Sequence, residues 1–253
     1  MDRELIRAHL NLYAVLQNLE DLVQLDTEMA ELSRDWDISV QFLVRNGPEA
    51  FVEFKNGSCR HGRGRHARPS VKLYFTSPAH LNRMFDGAAN PIPLKGFTKL
   101  GFLKKDFASL TDRLEHYLRP QAGQPQDENY LRINTIFMLQ TGVYAAGELA
   151  MLDPVLARVA SRMRKGALQI DVGPEGPYIH AIFDDGVVTV KKGSAERPMA
   201  VMTFKDIRTV NDLLNGRLDA FQATVEGTIK LKGQISMVES FNLILDSVTD
   251  YLS

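Results

Sequence analysis

One phrase of this sequence is written twice. "NGPEAFVEFKNG" at 46–57 returns as "EGPYIHAIFDDG" at 175–186. Both carry Gly-Pro, a Phe six residues after the Pro, and a Gly three residues further on. At a fixed offset of 129, residues 46–87 and 175–216 align without a gap. Ten of the 42 positions are identical: Gly47/Gly176, Pro48/Pro177, Phe54/Phe183, Gly57/Gly186, Gly64/Gly193, Arg68/Arg197, Pro69/Pro198, Phe75/Phe204, Asn82/Asn211 and Gly87/Gly216. Background composition gives roughly 6% identity. Most of the shared residues are Gly, Pro and Phe, which fix turns and cores. The chain therefore has to fold as two copies of one unit.

The likeness runs outward with small gaps. "LNLYAVLQ" (10–17) answers "INTIFMLQ" (133–140), and "VQFLV" (40–44) answers "LQIDV" (168–172). "GFTKLG" (96–101) is matched to "GTIKLKG" (227–233), and "RLEHYL" (113–118) to "SVTDYL" (247–252). Between the copies lies "RPQAGQPQDE" (119–128), a polar Pro/Gly linker composition. The expected units are 1–120 and 121–253, with the boundary near residue 121.

The second copy is the clearer to read. Asp153 and Pro154 open a helix, "DPVLARVASRMRKG", which basic residues and Gly166 are expected to close. Three strands follow as a meander: "ALQIDV", "YIHAIF" and "VVTVKK". The second and third are joined by a hairpin at Asp185-Gly186. "MAVMTF" is a fourth strand. "KDIRTVNDLLNG" is an amphipathic helix with Ile207, Val210, Leu213 and Leu214 on one face. A short helix in "RLDAFQATVEG", a strand "TIKLKG" and a terminal helix complete the unit. The first half follows the same order, with its hairpin at Asn56-Gly57. Each half also has an extra N-terminal helix, near 3–19 and 129–148. The expected fold class is α+β: two tandem units, each a mainly antiparallel five-stranded sheet covered by helices on one face.

Composition narrows the function classes. A net charge of −1 provides no global field for nucleic acid or for an anionic membrane. A lone cysteine, Cys59, excludes an internal disulfide and fits a reducing, cytoplasmic setting. "MDRELIRAHL" lacks the basic-then-apolar layout of a signal peptide. "INTIFMLQTGVYAAGELAML" (133–152) carries Asn134, Gln140 and Glu148, and is read as a buried helix rather than a stable membrane insertion.

Three stretches resemble the sterol carrier protein 2 (SCP2-like) lipid-binding domains. They are "EGPYIHAIFDDG", "MAVMTFKDIRTVNDLLNGRLDAFQATVEGTIKLKG" and, in the first half, "VKLYFTSPAHLNRMFDGAANP" with its Asn90-Pro91. The likeness covers about 35–120 and 153–253. The first half departs from it in "NPIPLKGFTKLGFLKKD", and the extra N-terminal helices are not part of the family domain. The resemblance implies a hydrophobic tunnel between sheet and helices that holds a fatty acyl, acyl-CoA or sterol-like ligand. It implies no catalysis and no cofactor. An acyl chain gains about 0.8 kcal/mol per CH₂ taken out of water, and flexible Met and Phe linings can follow it. The candidate lining in the second half is Met199, Met202, Phe204, Phe221, Val225, Ile229, Met237 and Phe241. In the first half it is Leu73, Phe75, Met84, Phe85, Phe97, Leu100, Phe102 and Phe107. Packed core is the competing reading for each of them.

The sequence contains no P-loop, G-x-S-x-G, C-x-x-C or H-E-x-x-H. "CRHGRGRHARP" (59–69) offers Cys59, His61 and His66 to a metal, and Arg60, Arg63, Arg65 and Arg68 to an anionic head group. Its counterpart "VTVKKGSAERP" keeps neither Cys nor His, so a solvated loop with no metal is the expectation. Trp36 is expected to plug a core edge, and Glu148 to reach solvent near its helix end. Three functions stay open at this point: a non-catalytic lipid carrier, a structural or interaction module with filled cavities, and an accessory subunit presenting acyl-CoA. The extra helices could pair the halves or make a homodimer.

Overall fold

A computed structural model describes residues 2–119 and 127–252, which fall into two compact units. Most of the linker, and the boundary near residue 121, lie outside the described residues. The first unit opens with a continuous helical run. It comprises α1 (Arg3–Leu10), a π turn (Asn11–Val15), a 3-10 turn (Leu16–Asn18) and α2 (Leu19–Leu25). Then come α3 (Thr27–Ser33), β1 (Ile38–Val44), β2 (Glu49–Lys55), β3 (Ser58–Arg63), β4 (Val71–Phe75), α4 (Pro78–Phe85) and β5 (Ile92–Lys95). A helical run through Phe97–Lys99, α5 (Leu100–Phe102) and a π turn (Leu103–Phe107) leads into α6 (Ala108–Leu118).

The second unit opens with α7 (Glu128–Leu152) and α8 (Pro154–Ser161). It continues through β6 (Gly166–Val172), β7 (Tyr178–Asp184), β8 (Val187–Lys192), β9 (Ala200–Phe204), α9 (Ile207–Leu214), α10 (Ala220–Val225) and β10 (Ile229–Gly233). It closes with α11 (Ile235–Asp246) and α12 (Thr249–Leu252).

The sheets have one topology, β3-β2-β1-β4-β5 and β8-β7-β6-β9-β10. From β2 to α4, every element of the first unit recurs 129 residues later in the second. Both hairpin turns need positive φ at two successive residues, as a two-residue turn of this hand requires. Asn56 and Gly57 sit at 52° and 70°, and Asp185 and Gly186 at 49° and 82°. The helix after the fourth strand is capped in each copy by the equivalent side chain. Ser77 accepts from the His80 amide, and Asp206 from the Thr209 amide.

Strand alternation sorts each sheet into two faces. In the second unit Leu168, Ile170, Val172, Ile179, Ala181, Phe183, Ala200, Met202 and Phe204 share the inner face and are all buried. The opposite face carries Gln169, Asp171, Thr189, Thr203 and Lys230. Phe54 and Phe183, the echoed phenylalanines, are buried on the inner faces.

Three expectations change and one is sharpened. Each sheet is mainly antiparallel, as expected, and holds one parallel pairing, β1 with β4 and β6 with β9. The chain leaves the β3 or β8 edge and crosses to the far side of the central strand. Secondly, the fifth strand of the first unit is Ile92–Lys95, not "GFTKLG". Gly96, at φ 87°, ends it where Gly233, at φ 86°, ends β10, and residues 97–107 are helical. Thirdly, the helix opened by Asp153 ends at Ser161, and Gly166 begins the next strand. A Cβ on Gly166 would stand 2.3 Å from Met199 Sδ. Lastly, α10 in the second unit has no counterpart between α4 and β5.

The long helix α7 is apolar nearly all round, and 78% of its most apolar window is buried within the protein. It packs against β7 and β8 and is flanked by α8, α9 and α11. Gly147 allows that approach, since a Cβ there would lie 2.9 Å from Val190 Cγ2. Glu148, expected to reach solvent, is buried at 3% exposure.

The glycine that ends β10 leads to a prediction. A Cβ on Gly233 would stand 2.1 Å from the Met199 carbonyl oxygen, whereas one on Gly193 meets nothing within 4 Å. Both have positive φ. Gly193→Ala should cost only the left-handed penalty of about 1–2 kcal/mol. Gly233→Ala should cost clearly more, because β9 and β10 must also move apart. Urea midpoints of the two variants check the order.

Candidate hydrophobic ligand site

In the second unit α11 lies across β9 and β10. Its buried stripe of Met237, Val238, Phe241 and Ile244 faces the sheet. Five of the expected lining residues come together there: Met202, Phe204, Ile229, Met237 and Phe241. Phe241 meets Phe183 edge-on, with ring centroids 6.2 Å apart. Met199 is half-buried at the strand start, over Gly166. Phe221 and Val225 are not in this cluster. They stand on α10 at 80% and 72% exposure, while Ala223 is that helix's buried residue. A six-residue helix has only one inward position of this kind, and sequence did not show which face turned in.

The first unit differs in its interior. Leu73 and Phe75 are buried on the inner face, and Phe107 is buried against Phe54 and Phe102. The space is occupied by rings. Trp36 meets Phe54 at 5.1 Å and Phe102 at 4.8 Å, Phe107 lies 6.3 Å from Phe54, and Phe42 stacks on Phe75 at 6.4 Å. Trp36 thus closes a core edge, as its position suggested. Met84, Phe85 and Leu100 are half-buried, and Phe97 is exposed.

Polar contacts hold the same places in both units, and sequence reading missed them. Asn11 Nδ2 donates to Asn82 Oδ1 at 3.0 Å, and Asn211 Nδ2 donates to Asn134 Oδ1 at 2.8 Å. All four asparagines are buried. These bonds tie each extra N-terminal helix to the helix after the fourth strand. Gln41 Oε1 accepts from the His66 amide, and Gln169 Oε1 from the Ala195 amide, both at 2.7 Å. Tyr117 Oη donates to Asp26 Oδ2 at 2.7 Å, and Tyr251 Oη to Asp153 Oδ2 at 2.8 Å. Asp26 and Asp153 cap the helix before each sheet, so each unit's last helical segment is tied to its first part. Burial pushes both carboxyls up, but Tyr117, Arg113 and the cap amide at Asp26, and the cap amides and Tyr251 at Asp153, outweigh it and hold both below the usual range.

Two arginines of the basic loop are paired with acids of β2. Arg65 makes a fork on Glu49, with both bonds 2.8 Å long, and Arg60 donates twice to Glu53. Arg63 stacks over Tyr13 at 4.2 Å. The forks on Glu49 and Glu53 lower those carboxyls below their ordinary range. Cys59 and His61 share the inner face, whereas His66 reaches Glu53 on the outer one. Among the described residues no three His, Cys, Asp or Glu gather to hold a metal. His180 lies on the outer face, its Nδ1 2.9 Å from the Gly193 carbonyl. A hollow of about 340 Å³ on α6 is lined by Asp112, Glu115, His116 and Arg119, turned away from the apolar face.

No family model and no curated protein matches the chain. Solved structures that match include the sterol carrier protein domain 2 of Helicoverpa armigera, at 20% identity. That match covers 53% of this chain and 98% of the other, with a TM-score of 0.34. The palmitated SCP2L2 of Aedes aegypti matches at 16% identity over 38% of this chain and 92% of its own, TM-score 0.27. A ubiquinone synthesis protein described as UbiJ-SCP2 matches at 19% identity over 40% and 87%, TM-score 0.32.

Proposed function

We propose that the protein binds and carries a hydrophobic ligand of the fatty acyl class, without chemistry of its own. The second unit is the copy that holds it. The observation that carries this reading is the cluster of Met202, Phe204, Ile229, Met237 and Phe241 between β9–β10 and α11. Two methionines in such a place supply a lining that adapts to an irregular chain. The SCP2-like pattern of the same stretch points the same way. An acyl chain that extends to α10 also covers Phe221 and Val225, which the protein itself leaves in water.

A structural role for the first unit is favoured by its aromatic interior. The linked rings of Trp36, Phe54, Phe102 and Phe107 fill the place that an acyl chain would need. The carrier and scaffold roles thus fall to different copies of one fold.

Displacement of a fluorescent fatty acid from the full chain tests the reading. Fatty acid, acyl-CoA and sterol competitors then rank the head groups. Phe221→Ser with Val225→Ser should weaken the probe about tenfold or more, by the usual worth of a buried Phe. Both side chains are exposed, so the fold should hold. Unchanged affinity would remove α10 from the site, and no uptake by the wild type would remove the proposal.

A further inference from the structure

The two units differ at one sheet edge. In the second unit the outward positions of β10 and the residue after its closing glycine are Lys230, Lys232 and Gln234. The same register in the first unit places Ile92, Lys95 and Phe97 there, and a bulge adds Leu94. Ile92, Leu94 and Phe97 are 41%, 52% and 63% exposed. The fold does not demand them, because its other copy builds this edge from charges and an amide. Three large apolar side chains held in water within six residues mark an interaction surface.

The segment that carries this patch is cationic. Residues 92–107 hold Lys95, Lys99, Lys104 and Lys105 and a single acid, Asp106. All four lysines are exposed, and Lys95 Nζ also donates to the Pro69 carbonyl at 2.6 Å. The helical run is fixed in rotation because Phe102 and Phe107 turn inward onto Trp36 and Phe54. Phe97, Lys104 and Lys105 are thereby held outward. Exposed apolar side chains in a lysine-rich segment suit the surface of an anionic bilayer. They enter the boundary of head groups and acyl chains while the ammonium groups meet phosphates. A second copy of this chain would set the same lysines against one another, which repels it.

We infer that residues 92–105 dock the protein reversibly on an anionic lipid surface. This goes beyond ligand carriage and does not rest on it, since vesicle binding is read with no ligand added. The test is flotation of the full chain with vesicles of phosphatidylcholine, with and without phosphatidylglycerol. Binding should require phosphatidylglycerol and fall as salt rises. Each lysine near such a surface is worth about fivefold, so Lys104→Gln with Lys105→Gln should weaken binding about thirtyfold. Phe97→Gln, the residue of the other copy, should weaken it about tenfold with an unchanged circular dichroism spectrum. Equal binding to both vesicles, binding to neither, or indifference to these variants overturns the inference. So does a self-association in sedimentation that Phe97→Gln abolishes, because the occupant is then a second copy.

Discussion

Asp26→Ala should cost the first unit about 2–3 kcal/mol, the loss expected when a buried carboxylate that accepts several hydrogen bonds is removed. Asp26 is 2% exposed and accepts from Tyr117 Oη, from Arg113 Nε at 2.6 Å and from the Met29 amide. Alanine would leave the buried Tyr117 hydroxyl without its acceptor, while Arg113, a third exposed, keeps Glu28 at 3.5 Å. Hydrogen exchange by mass spectrometry reads the loss as faster exchange in residues 19–33 and 108–118. Asp153→Ala should cost less, because Asp153 accepts from Tyr251 Oη and from the cap amides of Val155 and Leu156, all neutral donors. A change below about 1 kcal/mol for Asp26→Ala would mean the contact is ornamental.

The same carboxylate sets an acid limit. Burial alone would raise its pKa, but Tyr117, Arg113 and the Met29 amide hold it below the ordinary value. Its stabilisation is therefore complete above about pH 4, the unfolded range. It is lost as pH falls through the folded value. Asp26→Asn should flatten the acid limb of the stability curve, and an unchanged limb would assign it to other carboxylates.

Asn211→Leu is the second large effect. It removes the donor shared by Asn134 Oδ1 and Thr135 Oγ1, each 2.8 Å away in a buried setting. The expected cost is about 2–4 kcal/mol, dominated by desolvated acceptors rather than by the bond itself. The double variant Asn134→Leu/Asn211→Leu should recover part of that loss, since two apolar partners leave fewer acceptors stranded. A double-mutant cycle in urea measures the coupling. Strict additivity would show that the two asparagines act independently.

The repeat, the order of elements along the chain and the hairpins were legible because Gly, Pro and Phe fix turns and cores locally. The fifth strand of the first unit was misplaced by matching "GFTKLG" to "GTIKLKG" on their shared G-x-x-K-L order, although the second glycine falls one residue apart. The true echo was the shorter "LKG", at 94–96 and 231–233, which ends both edge strands. The outward turn of Phe221 and Val225 was not legible, because periodicity in six residues fits two faces equally well. The Asn11–Asn82 and Asn134–Asn211 bonds join positions more than seventy residues apart, so no local pattern announces them. A signal was nonetheless present: both asparagines of each pair recur in the repeat, where most shared residues are turn or core formers. Similarly, the arginine-rich loop was read as solvated, but its pairing of Arg65 with Glu49 and Arg60 with Glu53, one strand away, was not legible in the sequence.

Native mass spectrometry of the full chain, followed by solvent extraction and identification of what it releases, tests the carrier reading most directly. The expected result is one hydrophobic ligand per chain, lost on extraction and regained from added fatty acid, with the site in the second unit. A chain with no bound ligand that takes up none would contradict the reading. Two ligands per chain would contradict the division of roles between the two units.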